Sequence, residues 1–240
     1  MTKRYSIKEP IPEIKDASDR LSEAADAYLA GVYDRAEELF RETNESADAR
    51  KIWHWLNPDW GPNQNDLDRN VRNWHPKEDT HWVPKALRDG LKSMIPDKVK
   101  NAVLTRDGYR CRYCGMLVIS AYIRKLIRCL DEDGEILKVE EGIFAVGESP
   151  AVPWIHNDVV NEHAALQCMW LQYDHVVPWS HGGRSDEKNV VVSCALCNFG
   201  KAEFTLAQLE IADPRDRDPV PCEWDGLERL YKKKGVRRRV

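Results

Sequence analysis

Four cysteines in two Cys-x-x-Cys pairs have the type and spacing of metal ligands. Cys111 and Cys114 form the first pair, and Cys194 and Cys197 form the second. A two-residue gap lets both thiolates of a pair reach one ion, and four thiolates make a tetrahedral Zn2+ site. The alternatives are two disulfides or four buried thiols. The total of seven cysteines is odd and no apolar leader follows Met1, so we expect a reducing, cytoplasmic compartment and zinc.

This zinc would be structural rather than catalytic. Four thiolates leave no open coordination position for water or substrate. The remaining cysteines, Cys129, Cys168 and Cys222, have no partner at metal-ligand spacing, and we expect each to be a small buried side chain. Catalytic chemistry must therefore come from other residues.

Asp174 and His175 are adjacent polar residues in an otherwise apolar and aromatic run that ends at Pro178. This pattern predicts a short strand. Successive strand side chains point to opposite faces, so the two residues can serve different tasks. A carboxylate suits Mg2+ or Mn2+, and an imidazole suits proton transfer near neutral pH. Taken alone, such a pair is also typical of a solvated strand tip.

A turn, a second strand and a helix are predicted after this pair. The turn contains two glycines at 182–183, the strand covers 189–192, and the helix begins near Cys194. Asn198 and Lys201 then lie one helical turn apart on the same face. The polar residues Asp174, His175, Asn198 and Lys201 are therefore expected to converge.

Residues 173–201, together with 106–115, resemble the HNH endonuclease family in five separate elements that occur in the expected order. The resemblance extends from Lys98 to about Leu209, with a long insertion. It implies a ββα-metal nuclease domain on a zinc-bound treble-clef frame. It also implies hydrolysis of DNA to 5′-phosphate and 3′-hydroxyl ends.

The resemblance also implies a role for each matching residue. His175 falls on the general base, and Asp174 and Asn198 fall on the ligands of a catalytic Mg2+ or Mn2+. Asn189 is the middle asparagine, expected to hold the loop or the His175 ring by hydrogen bonds. Lys201 matches a basic residue near the scissile phosphate. The chain is thus of the H-N-N variety.

Positive charge concentrates around the first cysteine pair, although the whole chain has a net charge of -4 and a pI of about 6.0. Residues 98–128 hold eight basic residues and one acidic residue. We expect a nucleic-acid backbone to pass here, contacting Arg110 and Arg112. His181 and Arg184 lie in the glycine turn, where His181 could contact phosphate or metal and Arg184 could bind a phosphate; solvated side chains are equally compatible with their positions.

The N-terminal segment predicts two helices joined at Gly31. Residues 9–48 hold twelve acidic and four basic residues. This acidic face could dock a protein partner; a merely solvated face is the slightly favoured alternative. A tryptophan-rich stretch follows at 53–82, which suits core packing better than base stacking.

The predicted fold class is α+β. A helical region at 1–95 precedes an HNH nuclease domain at 96–212, which carries a helical insertion at 115–173. A C-terminal extension at 213–240 ends in a basic tail. We expect amphipathic helices at 119–130 and 157–169 within the insertion, and no segment is apolar enough to cross a membrane.

Two functions are compatible with the sequence. The first is an active DNA endonuclease or nickase, with phage defence as one setting. The second is a non-catalytic, zinc-stabilised nucleic-acid-binding module. Asp174, His175 and Asn198 favour the first, because a pure binding module has no need of a catalytic cation site.

Overall fold

The computed structural model describes residues 14, 16–46, 94–127, 163–201 and 203–232. The tryptophan-rich stretch at 53–82, most of the insertion and residues 233–240 of the basic tail lie outside this part of the chain. No helix within it is long and apolar enough to cross a membrane.

The described ranges contain eight α-helices and one two-stranded sheet. In chain order they are α1 (Ala17–Leu29), α2 (Tyr33–Ser46), α3 (Asp97–Asp107), α4 (Ala121–Ile127), α5 (Ala164–Cys168), β1 (Leu171–His175), β2 (Val190–Cys194), α6 (Ala195–Lys201), α7 (Leu206–Leu209) and α8 (Arg229–Lys232). Short 3-10 turns cover Trp179–His181 and Pro214–Asp216. The mixed helix and strand content agrees with the predicted α+β class.

The sheet is an antiparallel pair in which Asp174 lies opposite Val191 and His175 lies opposite Val190. All five β2 residues are buried, as their β-branched, apolar sequence dictates. Helix α6 follows β2 without a break and packs on both strands. Helix α6 therefore packs against the strand that carries Asp174 and His175.

Helix α3 packs against β2, and a buried carboxylate at the end of the helix binds the strand. Asp107, only 2 % exposed, accepts the backbone N–H of Val192 at 2.9 Å. The neighbouring Arg106 donates to the Val190 carbonyl at 2.9 Å and to Asp107 at 2.7 Å. These bonds tie the segment before the first cysteine pair to the strand that leads into the second pair.

The predicted helical hairpin is present, and it shares one apolar core with the rest of the described chain. Gly31, with φ +80°, supplies the left-handed residue between α1 and α2. His163 Nε2 lies 2.8 Å from the Phe40 carbonyl oxygen, and the two rings are 4.2 Å apart. Arg229 donates to Asp26 of α1 at 2.9 Å. The hairpin is thus attached at both of its helices.

The outward face of the hairpin carries ion pairs within α2. Arg35 binds Glu38 at 2.6 Å, and Arg41 binds Glu37. Pairs three and four residues apart are the pattern of a solvated helix face. Docking of a partner protein there, and the division of the chain at residues 96 and 213, stay predictions.

Predicted boundaries differ from the observed ones by one to several residues. Strand β2 runs to Cys194, and α6 begins at Ala195 rather than at Cys194. The amphipathic helix expected at 119–130 begins at Ala121, because Ile119 pairs with Trp170 in a bridge. Of the helix expected at 157–169, the described residues show α5 from Ala164 to Cys168, preceded by the non-helical His163, and residues 157–162 lie outside the described part of the chain.

Protonation of His163 should destabilise the fold. The ring is fully buried, and burial lowers its pKa from 6.5 to about 4. Between these values the unfolded chain takes up a proton that the folded chain does not, so stability falls as the pH drops. We expect the free energy of unfolding to fall by up to about 3 kcal/mol between pH 6.5 and 4.

Urea unfolding of the wild type and of His163→Gln across this pH range measures the effect. The variant keeps an amide donor for the Phe40 carbonyl but cannot titrate, so its stability should depend less on pH. Equal slopes for the two proteins would contradict the assignment.

Candidate active site and metal centre

The four cysteines of the two pairs form one buried cluster. Their Sγ atoms all lie within 4.8 Å of one another, and those of Cys114 and Cys194 are 3.7 Å apart. Tetrahedral Zn–S bonds of about 2.3 Å require sulfur separations of about 3.8 Å. The Cys197 N–H also points at the Cys194 sulfur, at 3.4 Å. The predicted grouping is confirmed, and its donor set fits a zinc ion.

Electrostatics within the cluster favour a bound cation. Burial raises the pKa of the Cys194 and Cys197 thiols well above its ordinary value. Burial also opposes ionisation of Cys111, but hydrogen bonds from the three other thiols bring the pKa of Cys111 well below its ordinary value. Metal binding requires deprotonated thiolates, and a dication would neutralise their charge in this buried setting.

The two other cysteines in the described ranges lie apart from this cluster. Cys168 is buried, as expected, and burial raises the pKa of its thiol. Cys222 is exposed, so the expectation of a buried side chain is wrong for this residue. It lies in an extended stretch with no helix or strand to cover it. Cys129 lies outside the described residues.

Asp174 is buried under the first cysteine knuckle. Its carboxylate is 5 % exposed and accepts the phenol O–H of Tyr113 at 2.5 Å. Lys201 Nζ lies 3.3 Å from one carboxylate oxygen and 3.2 Å from the other. Burial raises the pKa of Asp174, and Lys201 and Tyr113 act against that rise. The nearby ammonium group and hydroxyl therefore favour an ionised carboxylate in an apolar setting.

Lys201 is turned inward, towards Asp174 on β1. The side chain is fully buried, and its ammonium donates to the His175 carbonyl at 2.8 Å as well as to Asp174. The sequence places Lys201 near the scissile phosphate, whereas this structure makes it a counter-ion of Asp174. The physical reason is that a buried carboxylate needs a compensating positive charge.

His175 is half-buried and lies next to Asp174 on β1. Its Nε2 lies 2.8 Å from Ser185 Oγ, across the turn that joins the strands. Burial lowers the pKa of His175, the positive charge of Lys201 lowers it further, and Asp186 acts against both. A neutral imidazole at pH 7 results, which is the protonation state that a general base needs.

Asn189 holds the turn after His175 by its side-chain amide. Its Oδ1 accepts the N–H of Val177 at 2.9 Å, and its Nδ2 donates to the carbonyls of Val177 and Arg184 at 3.0 Å each. Gly183 lies against this amide, because a Cβ there would be 1.8 Å from the Val177 oxygen and 2.7 Å from Asn189 Nδ2. The expected loop-holding geometry of Asn189 is therefore present.

Asn198, the other predicted ligand of a catalytic ion, is half-buried on α6. It precedes Lys201 by three residues, about one helical turn, so the two positions lie on the same side of α6. An amide oxygen and a carboxylate are suitable ligands for Mg2+ or Mn2+. A carboxylate also keeps lone pairs beyond those used by Tyr113 and Lys201. The donor chemistry fits a divalent ion.

The predicted nucleic-acid contacts lie in different environments. Arg110 is half-buried, Arg184 is exposed, and His181 is half-buried in the 3-10 turn. Arg112 is only 7 % exposed, and its guanidinium donates to the Pro214 and Arg217 carbonyls. Arg112 is therefore corrected to a structural residue, because the segment that follows α7 covers it.

The sequence interpretation missed Tyr113, the donor to Asp174. Its position between two zinc-ligand candidates was visible in the sequence, but its orientation depends on the packing of the knuckle over β1. It also missed Ser185 and Asp107, whose roles arise from contacts across the turn and between distant segments.

Replacement of one clustered cysteine should remove the metal and with it cooperative folding. We expect one zinc ion per wild-type chain and none in Cys194→Ser, because three sulfurs and a neutral hydroxyl do not make a closed tetrathiolate site. Elemental analysis and thermal unfolding measure the two effects. Cys222→Ser, at an exposed cysteine, is the control and should keep both properties. Zinc-free wild-type protein that unfolds cooperatively would refute the assignment.

Comparison with known proteins agrees with this geometry over part of the chain. Residues 161–203 match the family model described as HNH endonuclease. The match covers less than a fifth of the 240 residues, and it includes the Asp-His pair, Asn189, Asn198 and the second cysteine pair. No curated protein and no solved structure was found to match. The predicted resemblance to the HNH endonuclease family is confirmed for residues 161–203.

Proposed function

We propose that this protein is a metal-dependent HNH endonuclease or nickase that hydrolyses DNA phosphodiester bonds. The observation that carries the proposal is a half-buried His175 at the end of β1, next to the buried carboxylate of Asp174 and before a turn fixed by Asn189. A pure binding module has no need of such a base. The family resemblance implies products with 5′-phosphate and 3′-hydroxyl ends.

His175 takes the proton from the attacking water. Phosphodiester hydrolysis requires a base at this step, and a positioned imidazole is suited to it near neutral pH. Ser185 Oγ contacts Nε2 and so fixes the plane of the ring. In this proposal the other ring nitrogen is the atom that accepts the proton. Asn189 fixes the backbone on both sides of Val177, two residues beyond the base.

Asp174 and Asn198 are the residues that would hold a catalytic Mg2+ or Mn2+. When bound, such an ion supplies Lewis-acid stabilisation of the charge that develops on the phosphate and on the leaving oxygen. Tyr113 and Lys201 orient the Asp174 carboxylate and keep it ionised. Lys201 acts in this way through Asp174 rather than on the phosphate.

The four cysteines would form a structural zinc site in a treble-clef frame. The first pair provides the knuckle, and the second pair lies at the junction of β2 and α6. The zinc closes the domain around β1, and residues 115–173 form the insertion between the knuckles. Cysteines that hold zinc instead of pairing in disulfides suit a reducing compartment such as the cytoplasm.

A non-catalytic nucleic-acid-binding module is the second candidate, and one observation favours it. Asp174 is buried and already neutralised by the Lys201 ammonium, which reduces the attraction between its carboxylate and a cation. Plasmid nicking with and without Mg2+ separates the two functions. Phage defence is proposed as a biological setting on the family resemblance alone.

Replacement of the base should abolish cleavage while the frame stays intact. We expect His175→Ala to lower the Mg2+-dependent nicking rate by about 10^2- to 10^4-fold, because a positioned acid-base group is lost. Zinc content and DNA affinity should stay near those of the wild type. His163→Gln, a change at the other buried histidine site, should keep the wild-type rate at pH 7.5. Nicking by His175→Ala at the parental rate would show that His175 is not the base, whereas a wild-type protein that does not nick DNA with Mg2+ would favour the binding module.

The acid limb of the pH-rate profile should lie below pH 6.5. Burial and the Lys201 charge lower the pKa of His175 from that value, so the neutral base persists as the pH falls through 6.5. The rate should decline only when the imidazole becomes protonated at lower pH. NMR titration of the His175 ring measures the same group directly. If the His175 ring titrates at or above pH 6.5, its surroundings do not lower its pKa and the prediction is wrong.

A further inference from the structure

The segment Asp213–Arg217 lies beyond the residues that match the family model. It folds as a 3-10 turn with Asp213 at its N-cap, where the carboxylate accepts the Arg215 N–H at 2.9 Å. The same carboxylate binds the Arg215 guanidinium in a fork, with Nε at 2.8 Å from one oxygen and Nη2 at 2.5 Å from the other. The orientation of this exposed arginine is therefore fixed within the segment.

Reciprocal arginine bonds attach the segment to the first cysteine knuckle. Arg112 of the knuckle donates to the carbonyls of Pro214 and Arg217. Arg217 of the segment donates to the Tyr113 carbonyl at 2.8 Å and to the Arg112 carbonyl. Both bonds of Arg217 thus reach the backbone beside Tyr113, whose phenol donates to Asp174.

A second contact attaches the segment to the turn after β1. Arg215 Nη1 donates to Asn189 Oδ1 at 3.4 Å, a long bond that gains from the guanidinium charge. The same Asn189 oxygen accepts the N–H of Val177, two residues beyond His175. One segment therefore contacts the residue that orients Asp174 and the residue that fixes the turn beyond His175.

We propose that Asp213–Arg217 is a positioning segment for the Asp174–His175 pair, in which Arg215 acts through Asn189 and Arg217 acts through Tyr113. Neither arginine contacts a reacting atom in this role. The consequence for cleavage rests on the proposed endonuclease function. A displacement of about 1 Å at a catalytic group can lower a rate by about 100-fold. Loss of the Arg215 and Arg217 contacts is therefore expected to lower the cleavage rate, although each contact is weak.

The test uses hydrogen exchange and kinetics on Arg215→Ala in the full chain. Loss of the guanidinium should weaken the hold of Asn189 on the turn and raise the exchange rate of the Val177 amide by about tenfold. The single-turnover cleavage rate should fall by about 10- to 100-fold, with KM within about twofold of the wild type. Zinc content should not change. Asp213→Asn, which loosens the fork and keeps the arginine, should produce smaller changes in the same direction.

Arg229→Ala is the matched control. Arg229 also binds a carboxylate of the C-terminal region, Asp225 at 2.7 Å, but its other partners lie on the N-terminal hairpin. This variant should lose stability without faster exchange at Val177, which separates positioning from general destabilisation.

Unchanged Val177 protection in Arg215→Ala would overturn the proposal. A raised KM with an unchanged rate would also overturn it, because Arg215 would then contact the substrate. If the wild-type protein does not cleave DNA, the proposed function fails, yet faster Val177 exchange in Arg215→Ala alone still supports the positioning role.

Discussion

The four-sulfur cluster is the contact on which the unit formed by the knuckle, β1, β2 and α6 depends. It joins the knuckle after α3 to the junction of β2 and α6. Tyr113 lies inside that knuckle, so its phenol reaches Asp174 only when the knuckle is closed over the strand. The cysteine cluster and the predicted catalytic carboxylate are therefore mechanically linked, although a zinc ion held by four thiolates would have no open coordination position for chemistry.

Asp174 shows how the site balances a buried charge. Transfer of an unpaired carboxylate into a protein interior costs several kcal/mol, and removal of one partner of a buried ion pair costs about 3–5 kcal/mol. Lys201 compensates this charge from α6, and Tyr113 compensates it from the knuckle. His175 shares the strand but is directed at the turn, where Ser185 contacts its ring. Successive strand side chains point to opposite faces, so Asp174 lies in the buried ion pair whereas the adjacent His175 faces the turn.

Local patterns predicted most of the elements and the grouping of the cysteines, because both depend on short-range spacing. The helix-glycine-helix pattern predicted the hairpin, and the Cys-x-x-Cys spacing predicted the cluster of four candidate metal ligands. The errors concern residues whose surroundings come from distant segments. Arg112 is covered by residues about a hundred positions later, and Lys201 is directed inward by a carboxylate on another element. Charge and position in the sequence do not reveal such burial.

The separation of the two cysteine pairs has a consequence for folding. Cys114 and Cys194 are 80 positions apart, so an ion bound by both closes a long loop of chain. The entropy lost on closure grows only with the logarithm of loop length, and a doubling of the loop costs about 0.6 kcal/mol. A long segment between the two cysteine pairs is therefore tolerated at little thermodynamic cost. Such non-local closure slows folding more than it lowers stability, so metal binding is expected to follow the formation of local helices.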